Sequence, residues 1–271
     1  IGIATDHFAP GFLAAMPHRI FGIVSNDLLL AIPFFTLMGA ILERCGLAED
    51  MLEGMGKLFG RVPGGLAYAV ILVGAILGAV TGTVAASVIT MGVIALPIML
   101  RYGYSQRLAT GVIAASGTIT QVIPPSLVLV ILADQLGRPV GDMYLGAFGP
   151  SAAQVLIFLA FIAVLSLLRP AAMPPLPAEV RGEASLKLVL QVLWGIVPSV
   201  VLIFLVLGTI FMGLATPTES GALRVVGALL LAALKRRLSW SLTWQAMQMT
   251  GQLTAMVIFI LIGATVFTLV F

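Results

Sequence analysis

Charge is what this sequence most conspicuously lacks. Only 9% of its 271 residues are charged, against roughly 25% in a soluble domain. So few charges cannot cover a water-facing surface, and hydrophobic residues make up 60% of the chain. Cysteine is nearly absent. Cys45 stands alone, which excludes an internal disulfide, and it reads as a small buried residue at a helix end. The two histidines, His7 and His18, are too far apart for adjacent metal ligands. No HExxH, paired-cysteine or Walker sequence occurs. No serine in an apolar run has the Lys or His partner that an intramembrane serine protease needs. The net charge of +3 comes from scattered basic residues that flank apolar runs, which gives no nucleic-acid surface. A basic signal-peptide region is absent. The chain starts at Ile1 and stops inside an apolar run at Phe271, and is expected to be a fragment.

What fills the sequence is apolar helix. Runs of about 20 apolar residues recur along its length, enough for about six to nine membrane segments. Residues 7–27 read as a short or interfacial helix, and 28–43 as an apolar one. In 47–60 the apolar residues Leu47, Met51, Leu52, Met55, Leu58 and Phe59 fall at helical spacing. Glu49, Asp50, Glu53 and Lys57 take the other face, which predicts an amphipathic helix along the membrane surface. Residues 150–168, 188–212 and 253–271 are expected spans, 221–234 a shorter helix, and 239–252 an interfacial helix carrying Trp240 and Trp244.

The basic residues orient these spans. Arg44, Lys57, Arg61, Arg101, Arg107, Arg169, Arg181, Lys187, Lys235, Arg236 and Arg237 all fall on one side when the spans alternate. By the positive-inside rule that side is cytoplasmic. Arg19, Arg138 and Arg224 remain, and none is read as a mid-membrane arginine that would fix a carboxylate. Residues 62–102 must begin and end inside, as either two full spans or a re-entrant hairpin.

Two long apolar stretches are interrupted. The first, 62–102, holds Thr81-Gly82-Thr83 and Ser87. The second, 106–137, holds Ser116-Gly117-Thr118 and Pro124-Pro125-Ser126. Adjacent prolines remove two amide donors and force an unwound stretch. Backbone freed in mid-membrane survives only against protein or a watery cavity. Its carbonyls and nearby hydroxyls suit a hard cation such as Na⁺, and exposed helix N-termini suit an anionic group. The same small residues also serve close helix packing, and Ser and Thr also bond back to the preceding turn; both readings stand at this point.

The sequence resembles a known family through several runs. They are Ile32-Pro33-Phe34-Phe35 with Gly39 and Cys45-Gly46-Leu47-Ala48, then Gly64-Gly65-Leu66-Ala67 with 78–87. Ala115-Ser116-Gly117-Thr118 through Ile123-Pro124-Pro125-Ser126 is the most specific, and Ala215-Thr216-Pro217-Thr218-Glu219 is another. Together they resemble the DctM-like large membrane (permease) subunit of the tripartite ATP-independent periplasmic (TRAP) transporters, from about residue 16 to 271. The resemblance implies an all-α polytopic, inverted-repeat, elevator-type transporter of the bacterial inner membrane. It implies sodium-driven uptake of a small organic acid, handed over by a periplasmic substrate-binding protein, with a small TRAP membrane subunit completing the scaffold. The implied ion and substrate site joins the hairpin tip (Thr81, Gly82, Thr83, Ser87) to the broken helix (Ser116, Gly117, Thr118, Pro124, Pro125, Ser126). Na⁺ is the coupling ion, and neither a cofactor nor an enzymatic reaction is implied. Thr81 and Thr83 stand where many members carry serine; both keep a hydroxyl.

The order of a mixed helix followed by an apolar one over 11–43 returns over 239–271 with opposite orientation, the mark of an inverted repeat. The expected organisation is scaffold helices and an amphipathic arm over 1–61, a hairpin over 62–105 and a broken helix over 106–137. Connecting and scaffold helices follow over 138–238, and a truncated second repeat over 239–271. A second hairpin is expected beyond Phe271. Thr216-Pro217-Thr218-Glu219 has the spacing of a capping box, and Asp134 reads as an interfacial charge near Arg138 and Asp142 rather than a proton relay. The alternative to a transporter is an ion channel or a non-transporting membrane scaffold, in which the Gly and Thr clusters only pack helices.

Overall fold

A computed structural model of the chain describes residues 14–81, 84–177 and 186–270. Every regular element among them is helical. In order these are α1 (Ala15–Val24), α2 (Ala31–Arg44), α3 (Leu47–Phe59), α4 (Gly65–Thr81), α5 (Val84–Arg101) and α6 (Gln106–Thr118). Then come α7 (Leu127–Leu136), α8 (Val140–Leu168), α9 (Leu186–Phe211), α10 (Pro217–Leu234) and α11 (Trp240–Val270). Three stretches are long and apolar enough to cross a membrane: Val140–Leu168, Pro217–Leu234 and Trp240–Thr268. The pair Ala15–Val24 and Asp27–Arg44, bent by 45°, makes a fourth. The chain is a polytopic, all-helical membrane protein.

Helix α4 lies at the centre. Ala67, Ala69, Val70, Ile71, Val73 and Leu77 are all buried, and the helix packs on α2, α3, α5, α6 and α8. Two glycines let α6 come close. A Cβ on Gly74 would stand 2.7 Å from Ser116 Cβ, and one on Gly78 would stand 2.5 Å from Thr120 Cα. Being four residues apart, they share a face, so this face of α4 meets the broken region of the next helix almost backbone to backbone. Small residues at such crossings allow the close van der Waals contact that holds membrane helices together.

The feet of the α4–α5 hairpin are stitched at the basic end. The Tyr104 hydroxyl accepts from the Leu66 amide at 3.2 Å, satisfying a donor in the first turn of α4. Burial pushes the Tyr104 pKa up to about 12, so this acceptor stays a neutral phenol. The segment after α8 closes over the same feet. Gly64 donates to the Met173 carbonyl, Ser105 to Ala172, and Leu176 to Gly60, at 2.9–3.0 Å.

Helix α3 buries Leu47, Ala48, Met51, Leu52 and Met55 against α4 and α9, the face the sequence predicts. Leu58, placed on that face by its spacing, is exposed. Asp50 on the polar side accepts from Lys235 at 2.6 Å and Arg237 at 3.3 Å, tying α3 to the α10–α11 turn. Arg237 also donates to the Cys45 carbonyl at 2.8 Å.

Two expected boundaries differ. The helix expected over 150–168 begins at Val140 and runs through Pro150. The helices expected over 239–252 and 253–271 are one helix, α11. The first pair does bend, because Asn26 leaves the helix and its side chain accepts from the Leu28 amide. In α11 the Thr250 hydroxyl instead donates to the Ala246 carbonyl, a bond within an unbroken helix. The capping box at the start of α10 forms as its spacing predicts. Thr216 accepts from the Glu219 amide, and Glu219 accepts from the Thr216 amide at 2.8 Å.

Two outcomes follow from this packing. Gly78→Ala forces backbone apart and should lower the stability of the full-length permease by about 1–3 kcal/mol. Gly111→Ala on the outer face of α6 meets nothing within 4 Å and should be neutral or gain up to about 1 kcal/mol; thermal melting in detergent compares them. Burial holds the Cys45 thiol above its ordinary pKa, partly offset by Lys235 and Arg237. The thiolate is the reacting form, so maleimide should modify Cys45 more slowly than the cysteine of an Arg169→Cys, Cys45→Ser variant. Its rate should keep rising beyond pH 9.

Candidate functional site

The helix that starts at Gln106 ends at Thr118. A 3-10 turn, Ile119–Gln121, follows, and helix resumes only at Leu127. Pro124 and Pro125 occupy the gap, joined by a cis peptide bond and both buried. They supply no amide donors, so the α6 ladder cannot continue through them. Ser126, fully buried, caps the new helix by accepting from the Val128 amide at 3.2 Å. The carbonyls released by the break find hydroxyls. Thr120 donates to the Gly117 carbonyl at 2.8 Å. Ser151 of α8 lies 2.8 Å from the Val122 carbonyl and 2.6 Å from that of Ala147, within reach of each.

Helices α4 and α5 pack against this break. Thr81 is the last residue of α4 and Val84 the first of α5; Gly82 and Thr83 lie outside the described residues, as does the Thr81 side chain. Both arms pack on Ile119–Gln121. Gly117 sits against Val88, where a Cβ would come within 3.1 Å of Val88 Cα. Ser87, one residue earlier, is buried. Thus Gly117 meets α5 at Val88, the residue after Ser87, while Ser116 meets the middle of α4 at Gly74. Pro124, Pro125 and Ser126 shape the far side of the gap, and the Thr118 side chain is exposed.

The hydroxyls have a common chemistry. Ser116 donates to Ile113 at 2.9 Å and Thr118 to Ala115 at 2.8 Å, each to a carbonyl three residues back. A hydroxyl has one proton, so each oxygen is left as an acceptor only. Acceptor oxygens beside unwound backbone suit a hard cation without a full charge. The N-terminus of α7 opens onto the same gap with partial positive charge. Among the described residues no cluster of three or more His, Cys, Asp or Glu side chains could hold a metal, so any cation here would rest on uncharged oxygens.

Several participants were not singled out by the sequence reading. Thr120 and Ser151, which satisfy the break, are among them, and so are Gly74 and Gly78, whose spacing of four was a readable signal. Arg224 corrects an expectation. It lies inside α10, which is long and apolar enough to cross a membrane, and is 1% exposed, so a candidate span does carry a buried arginine. Its signal was a single charge within the apolar run 220–234. Asp134 accepts from the Asn26 amide nitrogen at 2.6 Å and from Gln135 at 3.1 Å, which makes it a tie between α7 and the bend after α1.

Comparison with known proteins agrees with this architecture. The family model described as "Tripartite ATP-independent periplasmic transporter, DctM component" matches residues 7–271. The C4-dicarboxylate TRAP transporter large permease protein DctM of Pseudomonas aeruginosa is 31% identical over 261 residues, covering 96% of this chain and 60% of that protein. The 2,3-diketo-L-gulonate TRAP transporter large permease protein YiaN of Escherichia coli is 28% identical, covering 88% and 55%. The ectoine TRAP transporter large permease protein TeaC of Halomonas elongata is 30% identical, covering 87% and 53%. The chain thus spans between half and three-fifths of these relatives' lengths. It belongs to the DctM family, the large permease component of tripartite ATP-independent periplasmic transporters.

Proposed function

We propose that the chain is part of the transport subunit of a sodium-coupled importer in a bacterial inner membrane. A small organic acid, delivered by a periplasmic binding protein, is carried across by an elevator movement of the hairpin and broken helix, residues 62–137. Residues 1–61 and 138–238 belong to the scaffold, which a small membrane subunit completes. The segment 239–271 opens an inverted second copy. No covalent chemistry is involved and Na⁺ is the coupling ion. Na⁺ binds at carbonyls and hydroxyls of Thr81, Gly82, Thr83, Ser87, Ser116, Gly117 and Thr118, ordering a pocket closed by Pro124, Pro125 and Ser126.

The observation that carries this reading is the packing of α4 and α5 on Ile119–Gln121, at a backbone break flanked by hydroxyls left as acceptors. Family membership supports the carrier class. The P. aeruginosa and E. coli relatives are named for carboxylates, which supports an organic acid while leaving its identity to the receptor.

Uptake by the full-length permease, reconstituted with its small subunit and binding protein, tests the reading. It should be saturable and driven by an inward Na⁺ gradient. Ser116→Ala and Thr118→Val each remove one acceptor oxygen with little change of volume. Each should raise the Na⁺ concentration for half-maximal uptake about tenfold, equivalent to about 1.4 kcal/mol. Equal uptake with and without the gradient rules out sodium coupling, and flux without saturation or coupling identifies a channel.

A further inference from the structure

Arg224 is a charge whose counter-charge is missing among the described residues. It is the eighth residue of α10, buried between that helix and α2. Its guanidinium carbon stands 4.4 Å from the centre of the Phe35 ring. Both terminal nitrogens are buried without a hydrogen-bond partner, and so is the hydroxyl of Tyr144 on α8. Tyr144 packs in the same buried cluster as Phe35, and none of the ion pairs among the described residues involves Arg224. The acids of the neighbouring helices are occupied or lie elsewhere. Glu219 closes the capping box, Glu43 at the far end of α2 takes the Thr90 hydroxyl, and Asp142 lines the outer cavity described below.

Arginine stays protonated in proteins, and burying an uncompensated charge costs several kcal/mol. The Phe35 face recovers part of that but leaves the N–H edge of the fork unused. Water in the gap would satisfy N–H dipoles without neutralising the charge. The fork and the phenol are both donors, and together they match the two oxygens of one carboxylate.

A cavity of about 460 Å³ opens between Leu28, Val140, Ile210 and Pro217 at the end of the bundle away from Lys235. Val140 and Tyr144 are one turn apart on one face of α8, and Pro217 and Arg224 two turns apart on one face of α10. The cavity therefore lies on the same faces of α8 and α10 as the unpartnered donors, toward the start of both helices, and Arg138 is among its lining residues.

We propose that Arg224 and Tyr144, with Phe35 as the floor, form a carboxylate-binding site between α2, α8 and α10, separate from the gap at the broken helix. The carboxylate comes either from a free organic acid or from an Asp or Glu side chain of the assembled transporter. The test uses the full-length permease at constant ionic strength, with potassium acetate replacing potassium chloride. For a free acid, acetate raises the melting temperature saturably. Arg224→Met abolishes the response and Tyr144→Phe raises the half-saturating concentration about tenfold, the loss of one hydrogen bond to a charged group. For a protein carboxylate, acetate has no effect. The lysine introduced by Arg224→Lys then forms an amide with an Asp or Glu in the presence of dicyclohexylcarbodiimide, located by peptide mass spectrometry. Neither acetate response nor cross-link overturns the site, as does an acetate response that survives Arg224→Met or that chloride matches.

Discussion

Between Thr118 and Leu127 the regular α-helical ladder is interrupted inside an apolar bundle. There is little water in such an interior to satisfy the freed carbonyls and amides, so the surroundings of the break are organised to do it. Prolines remove donors that would have needed acceptors. Ser126 restarts the ladder, Thr120 closes one carbonyl from within, and Ser151 reaches another from α8. The position of α8 is thus linked to the break through Ser151.

The hairpin depends on the same break. Only a helix that thins to glycine and hydroxyl residues allows α4 to approach so closely, and α4 reciprocates with Gly74 and Gly78. The contact leaves oxygens with no proton to donate beside unwound backbone. In a packed membrane helix such oxygens contribute little stability of their own, because their protons are spent on carbonyls already bonded in the helix. Their arrangement around a gap is what the proposed cation site draws on. The feet of the hairpin are held by uncharged bonds, Tyr104 and the 170–176 segment, so its far end is positioned without a charge in the membrane interior.

Much of this was legible in the sequence. Adjacent prolines at 124–125 force an unwound stretch, because neither carries an amide donor. Thr216-Pro217 with Glu219 fixes a helix start for an equally local reason. The amphipathic face of α3 followed from spacing alone. Features that depend on distant contacts were not legible. Spacing does not say which face of α4 meets α6, nor that Ser151 answers Val122. The bend at Asn26 and the continuity of α11 differ through one side-chain choice, capping at Asn26 against back-bonding at Thr250. Arg224 was visible as an isolated charge, but only packing shows that it faces inward with no counter-charge.

The central claim is that Na⁺ joins the hairpin to the broken helix. Hydrogen–deuterium exchange on the full-length permease, in Na⁺ and in K⁺ at equal ionic strength, addresses it directly. A joining ion predicts slower exchange in Na⁺ for peptides covering residues 78–90 and 113–127 together, with α8 and α11 unchanged. Identical exchange of both segments in the two salts contradicts it.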